Sequence, residues 1–119
     1  MRIITRPLLT ALLASAAVFH AMPAASAVDA KAAKALATQN NCFKCHHVTD
    51  EKKDGPAYKK VAEKYKGKPD AEKRLIEHIT SGEKAKFPDG HEEAHKIVKT
   101  SPPKDEEQIK NLVQWVLSQ

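Results

Sequence analysis

The stretch CFKCHH, Cys42 to His47, decides how this chain is read. Two thiols three residues apart, followed at once by an imidazole, admit four chemistries. They are covalent attachment of a c-type haem, a disulfide, a thioredoxin-like redox pair, or half of a zinc site. The zinc site needs a second ligand pair, yet Cys42 and Cys45 are the only cysteines in the chain. The thioredoxin pair needs a βαβ setting, and the surrounding periodicity is helical. Haem attachment gives every residue a task. Two thiols at this spacing bond the two vinyl groups along one side of a porphyrin, and His46 projects an imidazole beneath the iron.

The residues upstream support the same chemistry. MRIITR carries Arg2 and Arg6 without an acid, PLLTALLASAAVF is a short apolar run, and Ala25-Ser26-Ala27 is an A-x-A cleavage site. The run is well short of the ~20 residues that span a bilayer, so no membrane anchor is expected after processing. Residues 1–27 therefore read as a cleaved signal peptide and residues 28–119 as a single domain. Export places the chain in the periplasm, and c-type attachment is made outside the cytoplasm. Loss of Arg2 and Arg6 lowers the formal charge from +5 to +3. That surplus is mild, and there is no basic stripe with interleaved aromatics of the kind that binds nucleic acid. With one Trp and abundant Lys, the remaining residues can build only a small apolar core. Domains of this size often need a staple or a cofactor, and a buried haem would supply the missing apolar mass.

Four helical segments and no strand are expected, an all-α fold wrapped around one haem. Asp29 can cap AKAAKALATQNN, which leads directly into Cys42. VTDEKKDGP is a polar loop. AYKKVAEKYKG places Tyr58, Val61, Ala62 and Tyr65 on one face and stops at Gly67. In PDAEKRLIEHITSG, Asp70 is a cap, Leu75, Ile76 and Ile79 are the buried side, and Gly82 is the stop. The last helix has Asp105, Glu106 and Glu107 at its positive end, and Ile109, Leu112, Val113 and Val116 at i, i+3, i+4, i+7. Trp115 adds a large apolar anchor beside that face.

Beyond CFKCH, the chain resembles the short class I bacterial cytochromes c over most of residues 30–119. DGPAYKKVAEKYKGK is similar to the family's segment after the haem motif, and LVQWVLSQ to its C-terminal helix, which crosses the N-terminal one. The resemblance implies one covalent haem c held by Cys42 and Cys45, with His46 as proximal ligand. It also implies that the Pro56 carbonyl accepts a hydrogen bond from His46 and raises its ligand strength. Ser101-Pro102-Pro103 resembles the family's diproline turn, which is usually preceded by the distal methionine. Here Ser101 stands in that place. The only methionines are Met1 and Met22, both within the expected signal peptide.

A different distal ligand is therefore expected. His47 directly follows the proximal ligand and lies on the wrong side of the ring. His78 flanks the apolar side of its helix and reads as a rim histidine. Between Gly82 and the diproline the chain is lengthened relative to the family. There, Asp89 with Glu92 makes a capping-box pattern for a short helix carrying His91 and His95. His95 is nearer to the vacated methionine position and is taken as the distal iron ligand, with His91, or no protein residue, as the alternatives. HEEAH also satisfies the H-E-x-x-H zinc-protease pattern, with Glu92 as base. A chain this short, already committed to a haem, has little room for a third zinc ligand and a substrate cleft.

The expected function is single-electron transfer between periplasmic redox proteins by an electron carrier rather than an enzyme. Bis-histidine ligation would lower its potential relative to His/Met relatives. Lys44, Lys59 and Lys60 are candidates for meeting an acidic docking surface on a partner. The alternative function is binding or sensing of a small gas such as nitric oxide at an open or displaceable distal site.

Overall fold

A computed structural model describes residues 27–50 and 53–119. The expected signal peptide, apart from Ala27, lies outside the described residues. Four helices form: α1 (Ala30–Gln39), α2 (Tyr58–Tyr65), α3 (Ala71–Ser81) and α4 (Glu106–Leu117). A 3-10 turn, Cys42–Lys44, follows α1. Two short strands, β1 (Lys84–Lys86) and β2 (Glu92–Ala94), lie between α3 and α4.

Helix α4 is the spine, and α1, α2 and α3 all pack on it. Asp105 caps it, accepting a hydrogen bond from Gln108 N at 3.0 Å. Its buried side is Ile109, Leu112, Val113, Trp115 and Val116, the periodicity its sequence carries. Helix α1 is capped in the same way, with Asp29 accepting from Ala32 N at 2.9 Å. It meets α4 through Ala33, Leu36 and Ala37, and the alanines let the two backbones come close. Tyr58 at the start of α2 and Val98 before the diproline complete the core around Trp115.

Two asparagine side chains tie the chain across this helix crossing. Asn111 of α4 accepts from Asp29 N at 2.8 Å and donates to Asp29 O at 2.9 Å. Asn40, just past α1, accepts from Lys99 N at 2.7 Å and donates to Lys99 O at 2.9 Å. Each amide thereby pairs with both the backbone N–H and the C=O of one distant residue.

The hairpin corrects two expectations, the absence of strands and the short helix opening at Asp89. β1 and β2 pair antiparallel, with Lys84 opposite Ala94 and Lys86 opposite Glu92. The turn is Pro88-Asp89-Gly90. Phe87 O accepts from Gly90 N at 2.9 Å, and Phe87 N donates to His91 O at 2.9 Å. Gly90 at φ 93° supplies the left-handed residue that a three-residue hairpin loop needs. The Asp89 carboxylate, expected to cap a helix, instead accepts from His91 N at 3.1 Å inside this turn. Proline, aspartate and glycine in succession outweigh a capping-box pattern, because they fix the backbone of the turn itself. Asp70 is a smaller correction: it precedes α3, but its side chain makes no capping bond. Gly82 does end α3, in the left-handed conformation at φ 71°.

Candidate functional site

The CFKCH segment is shaped by how α1 ends. Asn41 takes the left-handed conformation at φ 58°, and the chain winds into the 3-10 turn. Cys45 N and His46 N both donate to Cys42 O, at 3.2 and 3.0 Å. One helical turn thus gathers Cys42, Cys45 and His46, and both cysteines are free thiols.

The loop returning to α2 is bound to this turn along its backbone. Gly55 N donates to Cys45 O at 2.7 Å, Tyr58 N to His47 O at 2.8 Å and Lys59 N to Val48 O at 3.1 Å. It brings Pro56 O within 2.7 Å of His46 Nδ1, which donates because a carbonyl can only accept. The imidazole is thereby held in the tautomer that leaves Nε2 for a metal. Gly55 lies so close that a Cβ there would stand 2.4 Å from His46 Cε1. Tyr58 stacks on the same imidazole, its ring centroid 5.1 Å from that of His46 and the planes 19° apart. Tyr58 also meets Trp115 edge to face, with ring centroids 5.6 Å apart. Burial pushes the Tyr58 hydroxyl and the Cys42 thiol up and the His46 imidazole down, so all three are held neutral.

His95 follows β2 and faces this group. Its N–H donates to Glu83 O at 2.8 Å, and its Nδ1 donates to Lys96 O at 2.9 Å, again leaving Nε2. The His95 and His46 ring centroids are 6.2 Å apart. Two imidazoles on opposite sides of one metal ion have centroids about 6 Å apart, from bonds of about 2 Å and ring radii of roughly 1.1 Å. Two free thiols beside His46, whose Nε2 is left unengaged, are the groups that a covalently attached haem would use, and the spacing of the two imidazoles has room for an iron between them.

The other expected residues fall elsewhere. His91 lies at the hairpin tip, its ring stacked on Phe87 and its nitrogens turned to Asp89 and Glu93. Asp89 raises its pKa. His78, on α3, contacts the His95 ring at 4.3 Å between centroids. HEEAH runs through β2 rather than a helix, so its two histidines are not one helical turn apart. Lys44, Lys59 and Lys60 are exposed. Lys59 lies 3.8 Å from Asp50, and Lys60 3.3 Å from Glu63. A cleft of about 850 Å³ opens between Pro56 and Phe87, with Lys53, Lys60 and Lys86 along it. Gly55, Tyr58 and Glu83 were not singled out as site residues from the sequence. Only Gly55 carried a usable signal, its place directly before Pro56.

A family model described as Cytochrome c matches residues 30–119. Cytochrome c2 of Rhodocyclus tenuis is 33% identical over 84 residues, 71% of this chain and 88% of that protein. Among solved structures, the class 1 cytochrome MtoD from Sideroxydans lithotrophicus ES-1 is 67% identical with a TM-score of 0.71, covering 77% of this chain and 97% of that one. Wild-type cytochrome c552 of Nitrosomonas europaea is 32% identical with a TM-score of 0.55, covering 71% and 96%.

Proposed function

Because the chain belongs to the cytochrome c family, as a class I member with one covalent haem c, we propose that it is an exported single-electron carrier ligated by His46 and His95. The observation that carries this is the imidazole pair, 6.2 Å apart, with each Nδ1 engaged by a backbone carbonyl. When bound, the haem supplies a one-electron iron couple.

The chain's own residues do the rest. Cys42 and Cys45 anchor the group on the 3-10 turn. Pro56 O orients His46 and raises the basicity of its Nε2. His95 takes the place that methionine holds in the family pattern, and the chain has no methionine after Met22. An imidazole in that place favours the ferric state, so a lower potential than that of His/Met relatives is expected. Residues 1–27 act as the export signal, and the periplasm is where the carrier meets its redox partners. Among the described residues no helix is long and apolar enough to cross a membrane. Lys44, Lys59 and Lys60 offer a cationic surface to an acidic partner.

Optical spectra of the purified protein in both oxidation states test this. A six-coordinate low-spin haem without the methionine–iron band is expected, and His95→Ala should convert it to high spin while His91→Ala does not. A parental protein already high-spin would point instead to an open site for small gases. A low-spin His95→Ala protein would show that another residue binds the iron.

A further inference from the structure

We infer that Glu83 is a positioning residue for the distal ligand, holding His78 against the His95 ring and so fixing the plane of that imidazole. The inference rests on His95 being the distal ligand. Glu83 is the first residue past Gly82, and it reaches His95 in two ways. Its carbonyl accepts the His95 N–H at 2.8 Å, continuing the β1–β2 pairing by one rung toward α3. Its carboxylate oxygen Oε1 accepts from Arg74 Nη2 at 2.8 Å and also meets Nδ1 of His78.

Arg74 and His78 are four residues apart on α3, so one carboxylate bridges two successive turns of the helix. His78 then stands with its ring centroid 4.3 Å from that of His95 and the planes 44° apart, in van der Waals contact. The bond from Nδ1 to Glu83 restrains the His78 side chain, so its ring forms a wall beside the His95 ring. On its own side, His95 is tied through Nδ1 to Lys96 O at 2.9 Å. One hydrogen bond still allows rotation about its axis, and the wall removes that freedom.

The Arg74–Glu83 pair is partly solvent-exposed, with side-chain exposures of 42% and 29%. Pairs of this kind contribute little to global stability. Their removal should therefore leave the fold intact while changing the ligand, which separates positioning from a merely structural role.

The test uses the holoprotein and four variants: Glu83→Ala, Glu83→Gln, Arg74→Ala and His95→Ala. The measurements are the ferric electron paramagnetic resonance g-values, the rate of cyanide binding, which requires the distal ligand to leave, and the urea midpoint. Glu83→Ala should shift the largest g-value and speed cyanide binding about tenfold, the factor expected for one charge-assisted hydrogen bond, with little change in midpoint. Glu83→Gln keeps an oxygen that accepts from His78 and should recover most of the parental behaviour. Arg74→Ala, acting from the surface, should move both readouts in the same direction by less. Parental g-values and cyanide rates in Glu83→Ala and Arg74→Ala would overturn the inference, provided that His95→Ala has lost the low-spin spectrum. If His95→Ala keeps that spectrum, the distal assignment fails and this inference with it.

Discussion

At the scale of single residues, the site depends on a glycine that has no chemistry of its own. Gly55 is needed because its missing Cβ is the space the His46 ring occupies. Gly55→Ala should push the ring off Pro56 O, and overpacking of this kind costs about 1–3 kcal/mol. The expected outcome is a lower yield of covalently attached haem after maturation, read by haem staining on denaturing gels, and a shifted spectrum in the protein that does form. Cys42, Cys45 and His46 could be named from the chain because their chemistry is carried by spacing along one turn. Glu83 could not, because its partners Arg74, His78 and His95 come together only when the hairpin folds back on α3.

At the scale of elements, helix limits followed from caps and stops that act within a few residues. Asp29, Asp105 and Gly82 stand where the pattern puts them. Asp105 also makes a pH prediction. The backbone N–H and side-chain amide of Gln108 hold its carboxyl below the usual range. Its folded pKa therefore lies under its unfolded one, and the unfolded chain takes up the proton first as pH falls. The stabilisation is complete above about pH 4 and is lost as pH falls through the lowered value. Asp105→Ala should unfold a few degrees earlier than the parent at pH 7. That difference should close in strong acid, as followed by circular dichroism. The hairpin departs from the short helix expected there. Two local patterns overlapped at Pro88-Asp89-Gly90 and Asp89–Glu92, and the stiffer of them, the turn, prevailed.

At the scale of the molecule, a small core is supplemented by polar clasps between distant segments. Asn40 grips both backbone groups of Lys99, and the segment it grips leads from His95 through Val98 to the diproline. Asn40→Ala should cost about 0.5–1.5 kcal/mol, the net worth of a hydrogen bond between groups that water can reach. Urea unfolding at matched haem content would measure this. An unchanged midpoint would mean that water replaces the clasp without loss. The sequence by itself determined the haem attachment chemistry, the four helices, the apolar face of α4 and the absence of a methionine ligand after Met22. These rest on composition, on spacing within a turn or two, and on the 3.6-residue period. Only the tertiary structure decided which histidine faces His46. It placed His91 at the hairpin tip and His95 6.2 Å from the His46 ring. Four residues of sequence separate those histidines, but the strand pairing carries one away from the core and ties the other to Glu83. Distances set by such pairing have no period along the chain.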